Sequence, residues 1–396
     1  MSEPYQSRLC TDIGYQSLNK YGEELCGDNI HVITLADGSV IVVLADGLGS
    51  GVKACILSTL TSKIISTMMA NDMSLDDCVS AIMATLPVCS VRQIAYSTFT
   101  ILYIKKNLQA AIIQYDNPHV ILLRGGKCWE FPKIATTIEG KTIYQSELSL
   151  QENDTFIAIS DGVEHAGVGH LLNFGWKRSD IISFMEGLYR DKYAAKTLTT
   201  FLLDQCLLLY ENKPGDDATV CTVKVRRRQV VNLLIGPPQN PSDDQKMLSL
   251  FFHKAGKYII CGGTTASLAA AYLQQPLVTN LQGYIDPTIP PTASIQGVDV
   301  VTEGVITLSR VLDYAQDYLQ ENRQYGVWSK QEDGASLIAR LLFETATDIN
   351  FFVGRAVNAA HQNPDLPIGF SVKMELVENL STLLKQMGKQ IKISYF

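Results

Sequence analysis

Residues 40–45, VIVVLA, are apolar without a break, and the run ends on Asp46, the first residue of DGLGSG. Four of the six are β-branched, so the run reads as a strand buried on both faces. A carboxylate carried to the end of such a strand, with side chains cleared away behind it, constrains the fold more than any other feature. Two further copies of the dipeptide set the comparison: Asp37-Gly38 in LADGS and Asp161-Gly162 at the close of TFIAISDG. Asp37-Gly38 lies between NIHVITL and SVIVVLA, where it is expected to supply the two positive-φ residues of a tight hairpin turn. Asp37 then has a complete structural explanation. Asp46 and Asp161 do not.

After the hairpin, Val52, Ile56, Leu60, Ile64 and Met68 recur four apart, which predicts a helix. A second helix starts at Ser74, with Asp77 as its capping-box partner, and stops before Pro87. STFTILYIK, QAAIIQY, HVILLRGGKCWEF (folding at Gly125-Gly126), TFIAIS and ATVCTVKV read as strands, and residues 180–210 as helix. Strands joined by turns, with helices in two blocks, predict antiparallel sheets of the α+β class. The pattern changes after Arg228. VVNLLIG, KYIICGG, VDVVTEG, INFFVGR and KQIKISYF are strand-like. They alternate with helical SDDQKMLSLFFHKAG (capped by Ser242), TTASLAAAYLQQ, VITLSRVLDYAQDYL, AVNAAHQ and a last helix at 376–388. Such alternation predicts a smaller α/β domain with a mainly parallel sheet. The expected domains are 1–228 and 229–396.

With 396 residues, 46% apolar and 18% charged, each half has material for a core. The net charge is −7 and no basic tract exceeds RRR at 226–228, which argues against nucleic acid or an anionic membrane as partner. Nine cysteines without a CxxC pair fit reduced thiols better than a disulfide framework or a zinc site. No signal-like or bilayer-length apolar stretch is present, so the expectation is a cytoplasmic protein.

Asp28 precedes a strand in CGDNIHV, and Asp216 and Asp217 precede another in PGDDATVCTV. With Asp46 and Asp161 this makes four carboxylate positions at strand ends. Converging carboxylates repel one another and resist burial unless a cation neutralises them. Oxygen ligands from several strands, with a backbone carbonyl from Gly47, suit Mg²⁺ or Mn²⁺. Two such ions about 4 Å apart hold a water acidic enough to attack a phosphoryl group. Gly47, Gly49 and Gly51 would let the carbonyl approach and leave room for phosphate. Each position alone has an ordinary reading as a turn or helix cap; the joint pattern is what favours a metal site.

GDN at 27–29, ADGLGSG at 45–51, SDGVEHAG at 160–167 and GDDATV at 215–220 resemble, in order, the motifs of the metal-dependent protein phosphatases (PPM). DGLGSG, with leucine after the glycine, is similar to the SpoIIE-type bacterial branch, over about residues 8–226. The resemblance implies two stacked antiparallel sheets flanked by helices, two Mn²⁺ or Mg²⁺ ions, and hydrolysis of phosphoserine or phosphothreonine in a protein. It implies that Asp46 bridges the ions and Gly47 gives its carbonyl. Asp161 and Asp216 hold one ion, Asp28 serves the other or orients its water, and Asp217 ranks second to Asp216. An anti-sigma-antagonist phosphoprotein is the substrate class it suggests, and the helix at 52–70 is its regulatory element.

Two departures stand out. Leu48 occupies the place of a proton-donating histidine, and Glu23 that of a phosphate-gripping arginine, as is common in the SpoIIE-type branch. His165 is a candidate proton donor that reads more simply as a loop residue; Lys20 and Arg8 are weaker candidates for phosphate. In the second domain, Gly262, Gly263, Thr264 and Thr265 open a helix where free N–H groups bind an anion, unless a threonine simply caps it. Glu303 and Arg355 are further polar candidates. No nucleotide fingerprint is present, and this domain is expected to sense a small ligand or dock a protein. Two rival readings stand beside the phosphatase: a catalytically weak or inactive regulator of the same fold, and a hydrolase of small phosphate esters.

Overall fold

The apolar runs of the first half pair into two antiparallel sheets in the computed structural model of the chain, which describes residues 8–85, 97–138, 140–169, 171–280, 290–356 and 372–396. The chain divides into two units, Met1–Arg227 and Arg228–Phe396.

In chain order the first unit contains β1 (Leu9–Leu18), β2 (Asp28–Thr34), β3 (Val40–Gly47), α1 (Gly51–Ala70), α2 (Leu75–Thr85), β4 (Ser97–Ile104) and β5 (Gln109–Tyr115). There follow β6 (Ile121–Arg124), β7 (Lys127–Cys128), β8 (Ile134–Ile138), β9 (Lys141–Ser149), β10 (Thr155–Ile159), α3 (Asp161–Glu164), α4 (Arg178–Leu188), α5 (Ala195–Leu209) and β11 (Ala218–Arg227). One sheet runs β2-β3-β4-β5-β9-β8 and the other β1-β11-β10-β6-β7. Val42, Leu44 and Leu102 of the first meet Phe156, Cys221 and Val223 of the second in a shared core. The outer face of the first sheet packs on α1 and α2 through Ile41, Val43 and Ile65, and that of the second on α4 and α5 through Ile157, Ile181 and Leu202. The result is the expected helix-flanked antiparallel sandwich.

Three local expectations change. Only Gly38 of the Asp37-Gly38 pair takes positive φ, at 93°. The loop runs over 35–39, closed by Leu35 N–H to the Ser39 carbonyl at 2.8 Å, with the Asp37 carboxylate accepting from Ser39. The four-spaced stripe on α1 is not its buried face: Val52, Ile56 and Leu60 are exposed, while Ala54, Leu57, Ser58, Thr61, Ser62 and Ile65 turn inward. A strict four-residue step drifts by about 40° each time around a helix of 3.6 residues per turn, so the stripe starts exposed and only its last members, Ile64 and Met68, come round to be half-buried. The expected helix at 180–210 breaks between α4 and α5. Half of the capping box of α2 is present: the Asp77 N–H donates to Ser74 Oγ at 3.2 Å, while the Asp77 carboxylate takes the Ser74 hydroxyl at 2.6 Å in place of the Ser74 N–H; the helix's expected end before Pro87 lies outside the described residues.

The second unit alternates strand and helix as the pattern predicts. It contains β12 (Val230–Ile235), α6 (Asp244–Phe252), β13 (Lys257–Cys261), α7 (Gly263–Leu273), β14 (Val278–Asn280), β15 (Thr292–Ser294) and β16 (Val300–Thr302). It continues with α8 (Val305–Leu319), α9 (Tyr325–Trp328), α10 (Gly334–Ala339), β17 (Asp348–Val353), α11 (Val372–Gln386) and β18 (Gln390–Tyr395). The sheet order is β14-β15-β16-β13-β12-β17-β18, parallel from β16 to β18 with an antiparallel edge. Its first strand lies inside the sheet, the mark of a doubly wound topology. Two corrections apply. Ser242 is not the cap of α6, since a 3₁₀ turn at Pro241–Asp243 precedes it and Asp243 is the N-cap. The helix expected at AVNAAHQ falls mostly outside the described residues.

Candidate metal centre

Asp28 opens β2 and Asp46 lies one residue from the end of β3, and the antiparallel register sets them directly opposite. Side chains so placed are about 5 Å apart, and two carboxylates there are destabilising on their own. β10 and β11 are neighbours in the second sheet, with Ile159 paired to Val220. Asp161 therefore leaves the end of β10 beside Asp216 and Asp217, which lead into β11. Each sheet thus delivers its acids from one end of an adjacent strand pair.

Ser160 ties the two ends together. Its hydroxyl donates to Asp28 Oδ2 at 2.7 Å and accepts the Thr219 N–H at 2.8 Å. The other Asp28 oxygen, Oδ1, is buried without a partner, and so is Asp217 Oδ2. Asp217 Oδ1 accepts the Lys20 N–H at 3.0 Å, and Asp216 accepts the Asp217 N–H at 3.0 Å. Asp28 and Asp217 are only 5% and 4% exposed. A buried acceptor left unpaired is completed by an ordered water, a proton or an ion, and beside further acids a cation is the partner that also offsets their charge.

The electrostatics agree. Burial pushes the Asp46 carboxyl up to about 10, helped by the charges of Asp28 and Asp161, a hydrogen bond shared with Asp161, and the charge of Asp216. Burial likewise pushes Asp28 up to about 7; bonds from Ser160 and Thr219 oppose the rise, and the charges of Asp217 and Asp161 add to it. Asp216 is raised by burial first, and the Lys20 ammonium pulls it back. The five acids are linked through one another's charges, Asp46 to Asp28, Asp161 and Asp216, and Asp217 to Asp28 and Asp216, and such a set suits hard divalent cations with oxygen ligands.

The glycines answer to packing. A Cβ on Gly47 would lie 2.2 Å from the Ala54 carbonyl oxygen of α1, and one on Gly162 would lie 2.0 Å from the Asp217 carbonyl oxygen. Gly49 and Gly51 have φ of 101° and 68°. Asp46-Gly47 and Asp161-Gly162 are thus each an acid whose neighbour must be bare for another element to pass, whereas a Cβ on Gly38 would meet nothing within 4 Å. Tyr210 fixes the second of them, donating its hydroxyl to the Gly162 carbonyl at 2.6 Å.

Glu23 lies across the start of α1, accepting from Ser50 Oγ at 3.3 Å. Arg8 is exposed at the edge of the described chain. His165 is more than a loop residue: with Asp161 and Asp216 it offers ligand atoms all within 4.8 Å of one another. Sequence reasoning missed Ser160, whose only signal is a hydroxyl residue directly before Asp161-Gly162. In the second unit, Gly262, Gly263, Thr264 and Thr265 form the β13–α7 turn. Gly262 is the N-cap of α7 at φ 110°, its N–H donates to the Thr302 carbonyl at 2.9 Å, and no side chain caps the helix. Neither threonine is the cap. Glu303 caps α8 through the Ile306 N–H at 3.0 Å, and Arg355 stacks on Tyr395 at 5.1 Å.

Residues 36–226 match the family model described as Stage II sporulation protein E (SpoIIE). Among solved structures, the chain is similar to the phosphatase domain of the cell fate determinant SpoIIE from Bacillus subtilis, at 18% identity over 56% of this chain and 94% of that one, with a TM-score of 0.43. A PP2C phosphatase domain of the same protein with a fragment of its regulatory domain is 19% identical, over 56% of this chain and 64% of that one, with a TM-score of 0.48. The RsbU and RsbW domains of a Mycobacterium tuberculosis protein are 15% identical, over 55% and 62%, with a TM-score of 0.45. No match to a curated protein was found. Among the described residues, no helix is long and apolar enough to cross a membrane.

Proposed function

Because residues 36–226 form a SpoIIE-family domain, we propose that the protein is a metal-dependent protein serine/threonine phosphatase whose activity is regulated by residues 229–396. The observation that carries the reading is the pair of buried, partnerless carboxylate oxygens on Asp28 and Asp217, within a set that also contains Asp46, Asp161 and Asp216. Asp46, opposite Asp28 and bonded to Asp161, is the residue placed to serve both halves of the centre, with the Gly47 carbonyl beside it. Asp161 and Asp216 would hold one Mn²⁺ or Mg²⁺ ion, and Asp28, with Asp217, would serve the second. Bound there, the two ions supply Lewis acidity toward phosphoryl oxygens and a water nucleophilic at neutral pH.

The chain's own part is positioning. Ser160 keeps one Asp28 oxygen engaged, which aims the other at the centre. Lys20, whose charge reaches Asp216, is the cation that meets the substrate phosphate in place of an arginine at position 23. Leu48 offers no proton, so the leaving serine or threonine alkoxide takes its proton from water. The substrate is a phosphoprotein of the anti-sigma-antagonist kind in a bacterial cytoplasm.

Regulation enters through α1. Gly47 and Ala54 touch backbone to backbone, so a tilt of α1 moves the residue next to Asp46. The helix meets β2 through polar groups: Ser62 Oγ to Asn29 Oδ1 and Ser66 Oγ to His31 Nδ1, each at 2.7 Å. Its outer ridge of Val52, Ile56 and Leu60 is apolar and exposed. An inner face that mixes Ser58, Thr61, Ser62 and Ser66 with Ala54, Leu57 and Ile65, under an apolar outer ridge, departs from the usual polar-out surface helix. Leu48 and Glu23 favour the second reading, a regulator with metal bound and turnover lost; a hydrolase of small phosphate esters is the third.

The test is hydrolysis of a phosphoserine peptide and of p-nitrophenyl phosphate by the Mn²⁺-loaded full chain, beside Asp46→Asn and Asp161→Asn. Peptide turnover lost in both variants supports the phosphatase. Mn²⁺ binding without turnover of any phosphoprotein supports the regulator.

A further inference from the structure

We propose that His165 is a ligand to the ion held by Asp161 and Asp216, and that its ring nitrogen biases this position toward Mn²⁺ and other nitrogen-accepting ions over Mg²⁺. The inference rests on the metal-centre reading and adds to it a residue outside the acidic set.

Three observations carry it. The His165 N–H bonds to the Asp161 carbonyl at 2.9 Å, closing the helical turn that begins at Asp161. That spacing puts both side chains on one face, as it does for paired ligands of one ion in HExxH helices. His165 Nδ1 then stands 4.0 Å from Asp161 Oδ2. This is too long for a hydrogen bond. It falls between the about 3.0 Å of adjacent ligands and the about 4.2 Å of opposite ligands around an ion with bonds of about 2.1 Å. Asp216 supplies the third donor, all three lying within 4.8 Å. Independently, Asp28 Oδ1 and Asp217 Oδ2, on residues more than nine-tenths buried, have no partner, and Asp28 and Asp217 lie within the fields of Asp161 and Asp216 respectively.

The consequence is selectivity. Mg²⁺ demands a near-ideal octahedron and keeps its waters, whereas imidazole suits Zn²⁺, Fe²⁺ and Ni²⁺ best, and Mn²⁺, at the weak end of the same first-row series, accepts it less strongly than they do but more readily than Mg²⁺ does. An Asp161–Asp216 pair without the ring would leave Mg²⁺ and Mn²⁺ to be chosen by availability. With the ring, Mn²⁺ gains a donor that Mg²⁺ uses poorly. The ring is 58% exposed, so it reaches the ion from the solvent side without disturbing the core.

The test is pulsed electron paramagnetic resonance of the untagged full chain loaded with Mn²⁺, with metal affinities measured alongside by titration calorimetry. The expected result is ¹⁴N modulation from a coordinated imidazole in the wild type, absent in His165→Ala and retained in His253→Ala. Mn²⁺ affinity at one site falls by about tenfold or more in His165→Ala, the scale of lost ligand support, while Mg²⁺ affinity is nearly unchanged. Stoichiometric Mn²⁺ binding with no nitrogen modulation, or modulation that survives in His165→Ala, overturns the proposal and leaves the phosphatase reading standing. A wild-type chain that binds no Mn²⁺ overturns both.

Discussion

Asp28 and Asp46 face each other because of one residue in a loop. A two-residue turn at Asp37-Gly38 would set Asn29 across from Asp46; the longer loop over 35–39 shifts the pairing by one and brings Asp28 there instead. Register carries this much because a slip of one residue sends every side chain to the other face. The acids themselves were legible in the sequence, since Asp46 and Asp161 end apolar runs and Asp28, Asp216 and Asp217 lead into them, but their partners were not. Turn geometry and the Ser160 bridge depend on contacts far apart in the chain. The cluster leads to a prediction about pH. Asp28 and Asp46 retain protons in the fold, to about pH 7 and about pH 10, that an unfolded aspartate releases near its ordinary pKa of 3.8. The folded state therefore binds more protons than the unfolded state above pH 4, and metal-free stability falls as pH rises from there through these values. Thermal unfolding in chelator should give a lower midpoint at pH 8 than at pH 5. Asp46→Asn should flatten that slope and raise the midpoint at pH 8, while losing the stabilisation that Mn²⁺ gives the wild type. A wild type and variant with the same slope would mean that these carboxyls are not in each other's field. In activity, Asp46→Asn and Asp161→Asn should each lower kcat by about 10²-fold or more, as loss of a main electrostatic contact does.

At the scale of elements, α1 is where sequence and structure part. Its existence was readable from the apolar recurrence at four, yet the buried face is the one carrying Ser58, Thr61, Ser62 and Ser66. Hydroxyls are tolerated there because each finds an acceptor, Thr61 on the Leu57 carbonyl at 2.9 Å and Ser62 on Asn29 Oδ1. A hydropathy pattern cannot report such pairs, since it scores serine as solvent-facing. Two substitutions separate the helix's inner and outer faces. Gly47→Ala puts a methyl where the Ala54 carbonyl oxygen lies, 2.2 Å away, and should cost about 1–3 kcal/mol by overpacking. It should weaken Mn²⁺ binding as well, because α1 must retreat from the strand that carries Asp46. Ile56→Lys, at a residue 54% exposed, should leave the unfolding free energy within about 0.5 kcal/mol of the wild type. If α1 is the regulatory element, that same change alters the response of phosphatase activity to whatever acts through residues 229–396. Chemical denaturation and Mn²⁺ calorimetry on both variants decide the matter; equal losses in the two would erase the distinction between the faces.

For the whole molecule, the change of period at Arg228 was legible because it is a property of local sequence: strands that follow strands give way to strands that alternate with helices. Sheet order was not, since pairing β12 with β17 as well as with β13 joins segments more than a hundred residues apart, Val230 to Asp348. The first unit has three apolar clusters of its own, between the sheets and on each outer face. A piece ending at Arg227 therefore keeps a complete sandwich, and it should unfold cooperatively and bind Mn²⁺ with the affinity of the full chain. Its rate on a phosphoserine peptide then measures what the second unit does. A phosphatase under regulation gives Mn²⁺-dependent peptide hydrolysis in both forms, at different rates. A hydrolase of small phosphate esters with its pocket in the second unit gives no peptide hydrolysis in either, and loses p-nitrophenyl phosphate turnover on truncation. Equal peptide rates in the two forms would remove regulation by residues 229–396 while leaving the metal centre and its chemistry in place.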